Sequence, residues 1–132
     1  MKNLLIVCSM LLFATLLMGC EKKDVSPLDG TYSGTFTVAY NDTTLTGPTT
    51  IELKNGTFSA TGNSNKIPAG GSGTFSVDNN TIRFKDANIW TANFDWNLIL
   101  SGSYEYTIDG KKLTIAAEKN GVGIYQYVLE KQ

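Results

Sequence analysis

The sequence predicts an all-β protein made of one antiparallel meander, and three features support this prediction. Segments such as residues 30–40 alternate polar and apolar side chains, which is the pattern of a strand with one buried face. Asn-Gly or Asp-Gly pairs at 55–56, 109–110 and 120–121 separate such segments and favour the tight turns of β-hairpins. After residue 20, no segment repeats its apolar residues at helical spacing.

The first five predicted strands follow one another closely. Their bounds are 30–40, 49–54, 57–61, 74–77 and 81–85. The inward face of the first strand carries Tyr32, Phe36, Val38 and Tyr40, and the inward positions of the fourth and fifth are Phe75, Val77, Ile82 and Phe84. Residues 41–48 are predicted to form a polar loop, and two longer connections are predicted at 62–73 and 86–93.

In the segment 94–108, most of the large apolar residues occupy even-numbered positions. Its large apolar residues at even positions are Phe94, Trp96, Leu98, Leu100, Tyr104, Tyr106 and Ile108. Gly102 falls on the same face, so the segment is either one strand bent at Gly102 or two strands joined by a wider or bulged turn. This segment counts as the sixth strand, a seventh follows Asp109-Gly110, and residues 123–130 form the last. The meander therefore has eight strands, or nine if the segment 94–108 is divided.

The last strand, residues 123–130, has two possible registers. A two-residue turn before it would direct Val122 and Ile124 inward, whereas a three-residue loop with a bulge would direct Tyr125 and Tyr127 inward. The tyrosine face is bulkier, and we therefore predict that it faces the core.

A meander of this length most economically closes into an up-and-down barrel, because closure pairs every strand edge. Strand pairing between the first and the last strand is thus expected. An open β-sandwich is the alternative architecture.

The N-terminus resembles a bacterial lipoprotein signal. A short positive start is followed by an apolar run over residues 4–18, which is too short for a comfortable membrane span, and then by Leu17-Met18-Gly19-Cys20. This resemblance to a lipobox implies that residues 1–19 are a cleaved signal peptide and that Cys20 carries the lipid anchor. Residues 20–27 are then a tether, and residues 28–132 are the folded domain.

Composition excludes several classes of function. The net charge is −1 and no basic stripe exists, which argues against nucleic acid as a partner. The chain has no His, so it has no His-based catalytic triad and lacks the commonest general base. Its acidic residues are scattered over outward positions and turns, without a pair spaced for acid–base catalysis or a ligand series for a metal. We therefore expect no enzyme activity, no cofactor and no metal site.

A family resemblance adds to this interpretation. Leu28-Asp29-Gly30-Thr31-Tyr32 resembles the start of a lipocalin, with Tyr32 where the signature Trp would stand. The segments 102–115 and 127–129 are similar to small lipocalin-like lipoproteins of Gram-negative bacteria. The resemblance implies an eight-stranded barrel with one open end, held in the cell envelope, with the outer membrane as the expected site. Whether the domain faces the periplasm or the cell surface is left open.

The surplus of inward tyrosines indicates that one barrel end is wet, since buried hydroxyl groups need partners. The candidate ligand-binding residues are Tyr32, Tyr40, Trp90, Trp96, Tyr104, Tyr106 and Tyr125. Trp90 lies in a predicted loop, where it either folds down as a barrel plug or stays exposed as a stacking platform.

Two functions follow as hypotheses. The first is a membrane-anchored barrel that binds a small hydrophobic or amphipathic ligand at its open end. The alternative is a non-enzymatic module that contacts a protein or a glycan of the envelope through its loops, especially 62–73 and 86–93. In both cases we expect a monomer held to the membrane through Cys20.

Overall fold

A computed structural model describes residues 27–91 and 93–132. The predicted signal peptide, Cys20 and nearly all of the tether lie outside the described residues. Within the described part the protein is all-β, with eight strands in one antiparallel meander that closes when β1 pairs with β8. The strands are β1 (Gly30–Tyr40), β2 (Thr44–Lys54), β3 (Thr57–Ala60), β4 (Gly71–Asp78), β5 (Thr81–Asp86), β6 (Gly102–Asp109), β7 (Lys112–Lys119) and β8 (Gly123–Lys131).

The predicted closed barrel is confirmed, and each strand pairs with its neighbours in sequence. The predicted register of the last strand is also confirmed. Lys119 pairs with Gly123, which leaves a three-residue turn, and Tyr125 and Tyr127 are buried. Ile124 on the opposite face is 53% exposed. The bulkier face is inside because burial of two large aromatic rings contributes more than burial of smaller aliphatic side chains.

The segment 94–101 was predicted to be a strand, and this is wrong. Asp95 caps a short 3-10 helix over Trp96–Leu98 by accepting a hydrogen bond from the backbone N–H of Asn97. The large apolar residues at even positions do not form one inward face there, because Leu98, Ile99 and Leu100 are buried in succession. Trp96 and Phe94 are accordingly not inward strand residues, and Trp96 is 56% exposed.

Three further predictions need correction. Residues 41–48 are not a loop, because β2 begins at Thr44 and pairs with the end of β1. Val77 and Ile108 were predicted to point inward, but they are 38% and 45% exposed. Each lies close to a hairpin turn, where the strands extend past the packed interior.

The barrel has two dissimilar ends. Turns at 55–56, 79–80 and 110–111 form the hairpin end, where the described chain also begins. The loop end is formed by the connections 41–43, 61–70, 87–101 and 120–122. Because every strand is antiparallel to its neighbours, the start of the described chain and the two long connections 61–70 and 87–101 lie at opposite ends.

Aromatic side chains fill the interior between these ends. Phe36 is fully buried, and its ring centroid lies 4.7 Å from that of Tyr127. Phe58 and Phe84 pack edge to face at 4.9 Å. At the hairpin end the buried Leu28 closes the core, and the hydroxyl of Tyr32 donates to its carbonyl oxygen at 2.8 Å.

Candidate functional site at the loop end

The two long loops cover the loop end of the barrel. The backbone N–H of Ala69 donates to the carbonyl oxygen of Leu98 at 3.0 Å, and that of Leu100 donates to the carbonyl oxygen of Gly70 at 2.9 Å. These bonds join the loops 61–70 and 87–101 through a short bridge. Leu98 and Leu100 are buried beneath this bridge, and their apolar side chains seal the core at the loop end.

The two joined loops, 61–70 and 87–101, form a cap over the barrel. Asp95 attaches this cap to the barrel wall. Its Oδ2 accepts hydrogen bonds from the hydroxyl groups of Tyr125 at 2.6 Å and Tyr40 at 2.8 Å, and its Oδ1 accepts one from the N–H of Asn97. Burial alone would raise the pKa of Asp95, but the hydrogen bonds from the two tyrosines and Asn97 outweigh it and lower that pKa. Burial and the same carboxylate raise the pKa of Tyr40 to about 12.

Lys119 holds together a part of the wall where two strands separate. Pairing between β6 and β7 ends at Glu105 and Ala116, so the start of β6 and the end of β7 are not joined by ladder bonds. The Nζ of Lys119 spans this region and donates to the carbonyl oxygen of Ser101 at 2.7 Å and to the hydroxyl of Tyr104 at 2.6 Å.

The environment of this ammonium group is aromatic and mostly enclosed. Nζ of Lys119 lies 4.5 Å from the ring centroid of Tyr104 and 5.7 Å from that of Tyr125. Burial lowers the pKa of Lys119 to about 8, against the opposing attraction of Asp95. Lys119 is therefore mostly charged at neutral pH. Deeper in the barrel, the buried hydroxyl of Tyr127 has no hydrogen-bond partner among the described residues.

Trp90 folds back onto the cap. Its Nε1 donates to Oδ2 of Asp86 at 2.7 Å, and its ring packs edge to face against Phe94 at 5.9 Å. The Nζ of Lys66, from the other long loop, lies 5.8 Å from the Trp90 ring centroid. Of the two placements predicted for Trp90, the structure has the folded one, because the indole N–H finds a carboxylate partner at the end of β5.

Two large apolar side chains of the loop 87–101 remain outside. Ile89 is 93% exposed, and Trp96 is 56% exposed. Trp96 begins the 3-10 helix that Asp95 caps and whose Leu98 is buried. The loop end thus exposes one aromatic and one aliphatic side chain of this loop.

The structure brings together five of the seven candidate residues and separates the other two. Tyr40, Trp90, Trp96, Tyr104 and Tyr125 all belong to the cap or to the wall directly beneath it. The remaining two contribute to the hairpin end, where the hydroxyl of Tyr32 bonds to Leu28 and that of Tyr106 bonds to the carbonyl oxygen of Asn79. At the loop end the hydroxyl groups of Tyr40, Tyr104 and Tyr125 bond to the charged side chains of Asp95 and Lys119. A role of the candidate residues in ligand binding stays a prediction.

Sequence reasoning missed the two charged residues of the site. Lys119 had a detectable signal, because it follows Leu113, Ile115 and Ala117 on the inward parity of β7. Asp95 had a weaker one, an acidic residue two positions before an Asn at the start of a turn. Asp95 was counted among the acidic residues of outward positions and turns, and Lys119 was not considered, because charged side chains on a barrel are usually on its outer face.

Two of the grooves on the surface of the barrel lie near the residues described above. One, of about 540 Å³, runs between the start of β2 and the loop 61–70, and its lining includes Leu45, Pro48, Asn63 and Ile67. The other, of about 490 Å³, follows the separation of β6 and β7 on the outer wall.

The described residues contain neither a cluster of metal-binding side chains nor a membrane-spanning helix. Within 27–91 and 93–132, no three His, Cys, Asp or Glu side chains are grouped so that they could hold a metal ion. The same ranges contain no helix that is long and apolar enough to cross a membrane.

Comparison with known proteins leaves the family open. No protein-family model matches the chain, and searches of curated proteins and of solved structures returned no significant match.

Proposed function

We propose that this protein is a lipid-anchored, lipocalin-like recognition module of the Gram-negative envelope, and that it contacts its partner through the loop end. The observation that carries the proposal is the exposure of Ile89 and Trp96 at the loop end, opposite to the start of the described chain. Large apolar side chains that remain exposed on a folded domain often mark an interaction surface. We propose a binding function without catalysis.

The anchor rests on the lipobox-like Leu17-Met18-Gly19-Cys20. Acylation of Cys20 would attach the protein to the outer membrane, and two or more chains, palmitate among them, make such attachment stable. Seven residues lie between Cys20 and Leu28, and the fully extended chain from Cys20 to Leu28 spans at most about 29 Å. The hairpin end would therefore face the membrane, and the loop end would face away from it.

A second candidate function is the binding of a small hydrophobic or amphipathic ligand. The groove of about 540 Å³ favours it, because the apolar side chains of Leu45 and Ile67 lie there beside the amide of Asn63. The groove opens beside the cap, so this function would also use the loop end. The packed aromatic interior supports a site at the surface of the barrel rather than inside it.

The proposed function predicts that the loop end is covered in the cell. If Cys8 leaves with the signal and Cys20 is acylated, the variant Ile89→Cys has a single reactive thiol. We expect a maleimide reagent to label it several-fold more slowly in isolated envelopes than in the detergent-purified protein. Val128→Cys, on the outer wall, is the matched control and should label equally in both. Equal labelling rates of Ile89→Cys in the two preparations would contradict the proposal.

A further inference from the structure

The two long loops carry almost no charge. Residues 61–70 contain a single charged side chain, Lys66, and residues 87–101 contain a single one, Asp95. Both are engaged within the cap. Lys66 lies over the Trp90 and Phe94 rings, and Asp95 accepts hydrogen bonds from the barrel tyrosines.

What these loops expose is neutral and of mixed character. The exposed residues are Thr61, Gly62, Ser64, Asn65, Ala87, Asn88, Ile89, Thr91, Asn93 and Trp96. Hydroxyl and amide groups both donate and accept hydrogen bonds, as the hydroxyl groups of a sugar require. Anionic lipid surfaces, nucleic acids and charged peptides are recognised through opposite charge, which the exposed residues of these two loops do not offer. The exposed carboxylate of Asp42 at the same end belongs to the short connection 41–43.

Trp96 is the exposed aromatic residue of this surface. Trp96 stands at the start of the 3-10 helix, with Asp95 before it bonded to two tyrosine hydroxyls and Leu98 after it buried. Trp96 as a whole residue is 56% exposed, and an exposed indole is suited to stacking against the apolar face of a sugar ring.

On these grounds we infer that the loop end binds a neutral glycan, with one sugar ring stacked on Trp96 and with neighbouring amide and hydroxyl groups bonded to its hydroxyls. This inference rests on the proposed function and names the class of its partner. A glycan chain of the envelope would meet the loop end because the hairpin end is directed to the membrane.

The test is calorimetric titration of the full chain with neutral hexasaccharides, namely chitohexaose, maltohexaose and mannohexaose. The protein is purified in a polyoxyethylene detergent, since an alkyl glycoside would compete for the site. We expect at least one of these probes to bind, and Trp96→Ala to weaken its affinity by about tenfold or more. Trp96→Phe, which keeps an aromatic ring and the chain geometry, should retain part of the affinity. Ile108→Ala, at the opposite end, should leave it unchanged.

Three outcomes would overturn the inference: no binding of any neutral hexasaccharide, tighter binding of the charged hexagalacturonate, or equal affinity of the wild type and Trp96→Ala. The labelling of Ile89→Cys distinguishes this failure from failure of the proposed function. If that thiol is protected in envelopes while no neutral glycan binds, the loop end is still the working surface and its partner is a protein. If it is not protected, the proposed function fails as well.

Discussion

Replacement of Phe36 by Ala is expected to lower the free energy of unfolding by about 3–5 kcal/mol, which is a large share of the stability of a domain of this size. Phe36 is fully buried, and its ring lies against Tyr127 at 4.7 Å and near Tyr125 at 6.5 Å. Truncation removes the apolar contacts and leaves a cavity that rigid barrel strands cannot close. Urea unfolding followed by tyrosine and tryptophan emission measures the change.

Ile89→Ala is the matched control for this prediction. It also removes a large apolar side chain, but one that is 93% exposed, so we expect a change within about 0.5 kcal/mol. Similar destabilisation by the two substitutions would show that the interior around Phe36 is not the packed core described above.

Replacement of Asp95 by Ala is expected to destabilise the protein by about 2–4 kcal/mol, because hydrogen bonds to a charged group contribute more than neutral ones and two tyrosine hydroxyls lose their acceptor. Loss of the acceptor should cost more free energy for the hydroxyl of Tyr125, which is fully buried, than for that of Tyr40, which is half-buried. Hydrogen exchange of the loop 87–101 should increase with the loss of stability. Asp42→Ala removes an exposed carboxylate at the same end and should have almost no effect.

The pH dependence of the Asp95 effect follows from the direction of its pKa shift. Folding lowers this pKa below its ordinary value of 3.8, so the folded state binds the proton less tightly than the unfolded state does. The stabilisation is therefore complete above the ordinary carboxyl pKa and is lost as the pH falls through the folded value. The difference in stability between the wild type and Asp95→Ala should be constant near neutral pH and decline in acid. A difference that persisted unchanged in acid would contradict the assigned role of the carboxylate.

The barrel was predictable from the sequence because its strands obey simple alternation. Burial of one face per strand makes the period visible in the sequence. In the last strand, the size of Tyr125 and Tyr127 outweighed the turn signal at Asn120-Gly121 and indicated the correct register. Closure into a barrel followed from the number of strands and the short turns between them.

The site was less predictable because its geometry depends on contacts between distant segments. The even positions of Phe94, Trp96 and Leu98 imitate a strand, and only the capping contact of Asp95 reveals the turn. Lys119 and Asp95 come from different segments and meet the tyrosines only after the barrel closes. The tyrosines themselves were predicted, and five of the seven candidate residues lie at the loop end.

The orientation of the barrel on the membrane can be measured by fluorescence quenching. A fluorophore is attached through Ile89→Cys at the loop end or through Ile108→Cys at the hairpin end, and the acylated protein is placed in vesicles that carry a nitroxide quencher on the lipid headgroup. If the protein is anchored at Cys20 and works through its loop end, the fluorophore at position 108 should be quenched more strongly than the one at position 89. Equal quenching at the two positions, or stronger quenching at position 89, would contradict this account.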